Sequence, residues 1–79
     1  MTQSELFELV TGHIREVIPG LEAHHFQLHD SLKALGANSM DRSEIVMLTL
    51  ESLSLKIPLA STAGAKNIGE LVNVLHAKL

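Results

Sequence analysis

Ser39 is the residue best placed to do chemistry, in the run Leu35-Gly36-Ala37-Asn38-Ser39-Met40-Asp41-Arg42-Ser43-Glu44-Ile45. Gly36 ends one segment, and an apolar-rich helical stretch begins at or just after Ser39. A hydroxyl in the first turn of a helix lies beside unpaired backbone N–H groups and the positive end of the helix dipole. Both favour a negative group, so this hydroxyl is suited to carrying a phosphodiester. A catalytic serine would need a base and an orienting acid within reach. No strand–turn–helix elbow precedes Ser39, and so short a chain offers little concave pocket. The sequence reads as non-enzymatic. His24, His25 and His29 raise the question of a metal, but adjacent loop histidines have no scaffold on which to converge, and no cysteine or carboxylate cluster completes a ligand set. They are expected to face solvent or pack the loop, with no metal bound.

The elements that must position Ser39 are helical. Thr2-Gln3-Ser4-Glu5 fits a capping box, with Thr2 as N-cap and Glu5 three residues on. Leu6, Leu9, Val10, Ile14 and Val17 follow at helical spacing, so a first helix runs to about Ile18, where Pro19-Gly20 stops it. Residues 20–38 form a long connection of the kind that is often functional. Phe26, Leu28, Leu32 and Leu35 are expected to tie it to the core, and Asp30-Ser31 to cap a single turn through Leu35. A second helix runs from Ser39 to about Ser54, and the stretch Lys56-Ile57-Pro58-Leu59 breaks it. Residues 59–66 allow one short turn. Asn67-Ile68-Gly69-Glu70 then opens a last helix with Ile68, Leu71, Val72 and Leu75 on its apolar stripe. No segment alternates as a strand does. The expected fold is all-α: three main helices plus one or two short helical turns, with a long first loop, in one domain over residues 1–79.

Composition limits the function classes. A chain of 79 residues has one small core, and with two phenylalanines and no Trp or Tyr that core is aliphatic. The absence of cysteine excludes a disulfide framework and a thiolate zinc site. No apolar run approaches the ~20 residues of a membrane span, and the N-terminus lacks the order of a secretory signal. A net charge of −3, with six scattered Lys and Arg, argues against nucleic acid. A cytoplasmic monomer is the expectation.

The second helix has two distinct faces. At 100° per residue Ile45, Val46, Thr49 and Leu53 fall together and read as core. Met40, Glu44, Met47 and Glu51 form the opposite stripe, flanked by Asp41 and Leu48. If that stripe faces solvent, its methionines suit a surface that meets several partners, and its carboxylates would steer basic ones. The bland alternative is a helix buried on most sides, with both methionines in the core.

The chain resembles acyl carrier proteins, whose attachment serine lies in a Gly-x-Asp-Ser-Leu segment at a helix start. The resemblance covers the whole chain and is most specific from Gly36 to Pro58. Ser39 matches the attachment serine, Met40 replaces the usual leucine, and Asp41 and Glu44 match common acidic positions. Ile57-Pro58 matches the Ile-Pro that closes this region in many carriers. Asn38 departs from the aspartate usually found before the serine: it keeps the N-cap ability but lacks a charge that lies near the transferase's metal. The run Gly36 to Ile45, the Leu55-Lys56-Ile57-Pro58 segment and the later Ala63 to Leu71 resemble the stand-alone donor carriers of polyketide β-branching cassettes, and Arg42 is consistent with that subgroup.

This resemblance implies 4'-phosphopantetheine on Ser39, added from coenzyme A by a phosphopantetheinyl transferase. It implies malonyl loading by an acyltransferase, conversion to acetyl by a decarboxylating ketosynthase, and delivery to a hydroxymethylglutaryl-synthase-like enzyme. Asn38, Met40, Asp41, Arg42, Glu44, Met47, Leu48 and Glu51 are the implied partner face. Two alternatives stay open: a carrier of fatty-acid or peptide synthesis, and a small helical interaction domain without a prosthetic group.

Overall fold

The computed structural model describes all 79 residues. Three α-helices, α1 (Gln3–Val17), α2 (Ser39–Leu53) and α3 (Ile68–His76), and one 3-10 turn (Leu59–Thr62) make up its regular structure. The all-α expectation holds. α1 starts on the capping box read from the sequence: the Glu5 amide donates to Thr2 Oγ1 at 3.1 Å, and the Thr2 amide donates to Glu5 Oε1 at 2.8 Å. Leu6, Val10 and Ile14 are fully buried along its inner face, with Leu9 and Val17 half-buried at its edges. The helix ends at Val17, because Ile18 takes up the extended backbone that a following proline favours.

α2 buries Ile45, Val46, Thr49 and Leu50. Leu53, expected in the core, is half-buried instead: it lies in the last turn, where Leu55 and Ile57 share the core's edge with it. Leu50 takes the deeper place. The Thr49 hydroxyl, fully buried, donates back to the Ile45 carbonyl at 2.8 Å, so its burial leaves no polar atom unpaired. Ser54 then adopts a left-handed conformation (φ 52°), and Leu55 N–H reaches back to the Leu50 carbonyl, closing a Schellman motif. α3 buries Ile68, Leu71, Val72 and Leu75, as its spacing predicts.

α1 packs against both α2 and α3, whereas the backbones of α2 and α3 do not meet; the 3-10 turn stands between them and touches both. The long connection wraps the open end. Phe26 and Leu32 are buried and Leu35 half-buried, but Leu28 is 59% exposed, against expectation. Its backbone holds the loop instead. The Gly69 amide donates to the Leu28 carbonyl at 2.7 Å and the Ile68 amide to the Asp30 carbonyl at 3.0 Å, so the loop satisfies the first two N–H groups of α3. This approach brings the Leu28 backbone close to Gly69 and leaves the leucine side chain in solvent.

The turn before α2 is capped by Ser31, whose Oγ accepts from the Ala34 amide at 3.3 Å. Asp30 faces backwards and accepts from the Gln27 amide at 2.8 Å. The turn does not continue into a helix. Ala37 N–H bonds to the Leu32 carbonyl and Gly36 N–H to the Lys33 carbonyl, a second Schellman motif closed by Gly36 at φ 99°. The chain then turns sharply into α2, with Ser39 at its first helical position.

Candidate functional site

Ser39 is exposed at the start of α2, and its hydroxyl makes no hydrogen bond within the protein. Asn38 is the N-cap: its Oδ1 accepts from the Asp41 amide at 2.8 Å, and Asp41 Oδ2 accepts from the Asn38 amide at 3.3 Å. This reciprocal pair occupies the Asp41 carboxylate and fixes the first turn. The amides of Ser39 and Met40 keep no partner, so two free donors flank the serine oxygen. Arg42, half-buried, donates from Nη1 to the Ala37 carbonyl at 3.0 Å and so ties the turn before α2 to its first turn. An exposed hydroxyl beside free amides, on a turn braced at both ends, fits a phosphodiester-borne arm.

Ser39 also lies on the rim of an open cleft of about 600 Å³ between the Ser31–Lys33 turn, the start of α2, the 3-10 turn and the start of α3. Val46 and Leu71 form part of its apolar floor, while Lys33, Arg42 and Lys66 stand around it.

The outer stripe of α2 faces solvent. Met40 is 79% and Met47 50% exposed, and Glu44 and Glu51 are exposed beside them. These values remove the reading in which both methionines belong to the core. Asp41, Arg42 and Leu48 are half-buried on the flanks. The histidines do not converge. His24 donates to Asp30 Oδ2 at 3.2 Å and meets the Phe26 ring edge-on at 4.7 Å, while His25 and His29 are exposed.

Comparison with known proteins decides the family. The polyketide biosynthesis acyl-carrier-protein AcpK of Bacillus subtilis (strain 168) is 48% identical over 79 residues, which is 100% of this chain and 96% of that one. The chain belongs to the acyl carrier proteins of polyketide biosynthesis. A solved structure, the HMG synthase of the curacin biosynthetic pathway in complex with an acetyl donor-ACP, contains a chain that matches this carrier at a TM-score of 0.95 and 44% identity. The match covers 99% of this carrier and 100% of that chain, so the two are of one size and one fold. No family model matches the sequence.

Against this background the structure gathers Asn38, Ser39, Asp41 and Arg42 into one hydrogen-bonded turn and places Met40, Glu44, Met47 and Glu51 on one exposed face of the carrier. Sequence reasoning did not find Lys33 and Lys66. Lys33 stands six residues before Ser39 and Lys66 twenty-seven after it, and no helical spacing rule connects either to the serine.

Proposed function

We propose that this carrier bears 4'-phosphopantetheine on Ser39 and donates an acetyl group to a hydroxymethylglutaryl-synthase-like enzyme during polyketide β-branching. The observation that carries the proposal is the exposed, unbonded Ser39 hydroxyl at the head of α2, in a chain that matches a donor carrier over its whole length. When bound, the arm supplies a terminal thiol that holds acyl groups as thioesters, on a chain with no cysteine of its own. Ser39 Oγ attacks the β-phosphate of coenzyme A, forming the Ser39 O–P bond as the pyrophosphate bond breaks and adenosine 3',5'-bisphosphate leaves. The separate transferase supplies the metal and the base that takes the hydroxyl proton. Asn38 and Asp41 hold the turn that presents it.

The chain itself catalyses nothing in this reading. Tethering raises the effective concentration of the cargo at each enzyme it visits. Asn38, Met40, Asp41, Arg42, Glu44, Met47, Leu48 and Glu51 form the face that meets the transferase, the acyltransferase, the decarboxylating ketosynthase and the synthase in turn. One surface serving several enzymes calls for adaptable methionines and steering carboxylates rather than a tight fit. We take residues 1–79 as a single carrier domain that works as a cytoplasmic monomer. No helix is long and apolar enough to cross a membrane.

The test is intact-protein mass after incubation with coenzyme A and a broad-specificity phosphopantetheinyl transferase. Wild-type protein should gain one phosphopantetheine unit and Ser39→Ala none, with its helical circular dichroism unchanged. Loading of Ser39→Ala would overturn the assignment. Transfer of acetyl from the loaded carrier to a hydroxymethylglutaryl-synthase-like enzyme, read by mass, then tests the donor role.

A further inference from the structure

We propose that the cleft beside Ser39 is a subsite for a carboxylate at the tip of the acyl cargo, held by Lys33, Arg42 and Lys66. The inference rests on the carrier reading above and extends it to the chemical class of cargo the carrier itself can hold.

The charge distribution is the starting point. The chain carries nine Asp and Glu against six Lys and Arg, yet three of those six cations line this cleft and none of the nine carboxylates does. On an acidic protein, free cations are expected to find carboxylates. None of the six has one within 4.0 Å, since the two ion pairs of the structure both involve histidine; what sets Lys33, Arg42 and Lys66 apart is that they share one cleft. Two carboxylates that neighbour them in sequence are engaged elsewhere. Glu70, four residues after Lys66, accepts from the Lys66 backbone amide at 3.1 Å and from Asn67 Nδ2 at 3.3 Å. Asp41 is held in the capping box of α2. Arg42 is fixed by its bond to the Ala37 carbonyl, which uses one of its five N–H donors and leaves the others free.

The shape agrees with the charge. A cleft of about 600 Å³ falls within the ~300–1,000 Å³ of small-molecule sites. Val46 and Leu71 on its floor lower the local polarity, which strengthens the pull of the cations on an anion. Because Ser39 is on the rim, an arm anchored there can fold back into the cleft with its tip among the three side chains. The cargo this selects is a half-thioester of a dicarboxylic acid, of the malonyl class. An acetyl group has no charge for the cations to hold, so its arm stays extended and available to a partner. The cleft thus distinguishes two loading states of one carrier.

The test uses carrier loaded with malonyl-pantetheine carrying carbon-13 in its free carboxyl group, with loading confirmed by mass. That carboxyl should titrate about half a unit below the same group in free malonyl-pantetheine. The net charge of −3 acts in the opposite direction, so a downward shift reports a local positive potential, which the next variant assigns to the cleft or to the head of α2. In Lys33→Gln/Lys66→Gln carrier, both changes being at exposed positions, the shift should disappear while the mass gain is unchanged. The amide resonances of Val46, Ala60 and Leu71 should move in the malonyl form relative to the acetyl form. A carboxyl that titrates as in the free thioester, or a shift that survives the double substitution, would overturn the proposal and leave the carrier reading standing. Absence of any mass gain would instead count against the carrier reading itself.

Discussion

At the scale of single residues, the site depends on which groups are left without partners. The hydroxyl of Ser39 and the amides beside it are free because Asn38 and Asp41 satisfy each other and Arg42 turns back to Ala37. Asn in place of the family's usual Asp keeps this geometry, since either side chain can accept from the third amide of the helix. The neighbouring stripe is similarly unencumbered: Met47 is half exposed and Glu44 fully on the surface. Met47→Ala should therefore change unfolding stability by less than ~0.5 kcal/mol. It should nevertheless weaken binding to the synthase several-fold, about 1 kcal/mol. Glu44→Lys should act in the same direction and mainly through the association rate. Urea unfolding and surface-plasmon binding of the loaded carrier would check both. A stability loss of ~2–5 kcal/mol for Met47→Ala would mean that the side chain belongs to the core.

At the scale of elements, helix ends matter more than helix middles. Each α-helix begins on an Asx or Thr cap, and the chain enters and leaves α2 through Schellman motifs. Two glycines separate helix propensity from tertiary contact. Gly12 lies inside α1 with open space where a Cβ would go, so Gly12→Ala should stabilise the fold by about 0.5–1 kcal/mol. Gly69 also lies in a helix, but a Cβ there would stand 3.0 Å from the Leu28 carbonyl oxygen. Gly69→Ala should destabilise by about 1 kcal/mol, because backbone crowding outweighs the propensity gain. Thermal unfolding of the two variants side by side would decide; equal stabilisation would mean that the loop yields freely. The same contrast explains what the sequence could and could not reveal. Caps at Thr2 and Asn67, the serine heading α2 and the outward Met and Glu stripe depend on residues three or four apart, so they were legible. The exposure of Leu28 and the placing of Lys33 and Lys66 around one cleft depend on where the long loop runs. That path is set by backbone bonds between segments almost forty residues apart, such as Ile68 to Asp30.

At the scale of the whole molecule, that loop is what joins the site to the core. It presents Ser39 and Lys33 at its C-terminal end, and at its middle, through Leu28 and Asp30, it stitches to the head of α3, which Lys66 closely precedes. Asp30 is the knot. Its carbonyl accepts from Ile68, and its carboxylate accepts from the Gln27 amide and from His24. His24 in turn lies against Phe26, and Arg15 from α1 stacks 4.9 Å over the same ring. The Gln27 amide first, and His24 second, hold the Asp30 carboxyl below the ordinary carboxylate range. A group whose folded-state pKa is depressed contributes stability above its unfolded pKa and loses it as pH falls through the folded one. Asp30 therefore supports the fold at neutral pH and ceases to do so in acid. Glu5, held low by its bonds to Thr2, acts with the same sign at the start of α1. Asp30→Asn, a neutral mimic of the protonated acid, should be less stable than wild type at neutral pH. The difference should shrink as the pH is lowered through the carboxylate range, read from urea midpoints. Hydrogen exchange locates the effect: the Ile68 and Gly69 amides should lose protection in the variant at neutral pH, and in wild type only in acid. A stability gap that stayed constant with pH would show that the Asp30 charge does not hold this stitch. A gap that closes, with protection lost first at Ile68 and Gly69, would show that one carboxylate keeps the two banks of the Ser39 cleft in register.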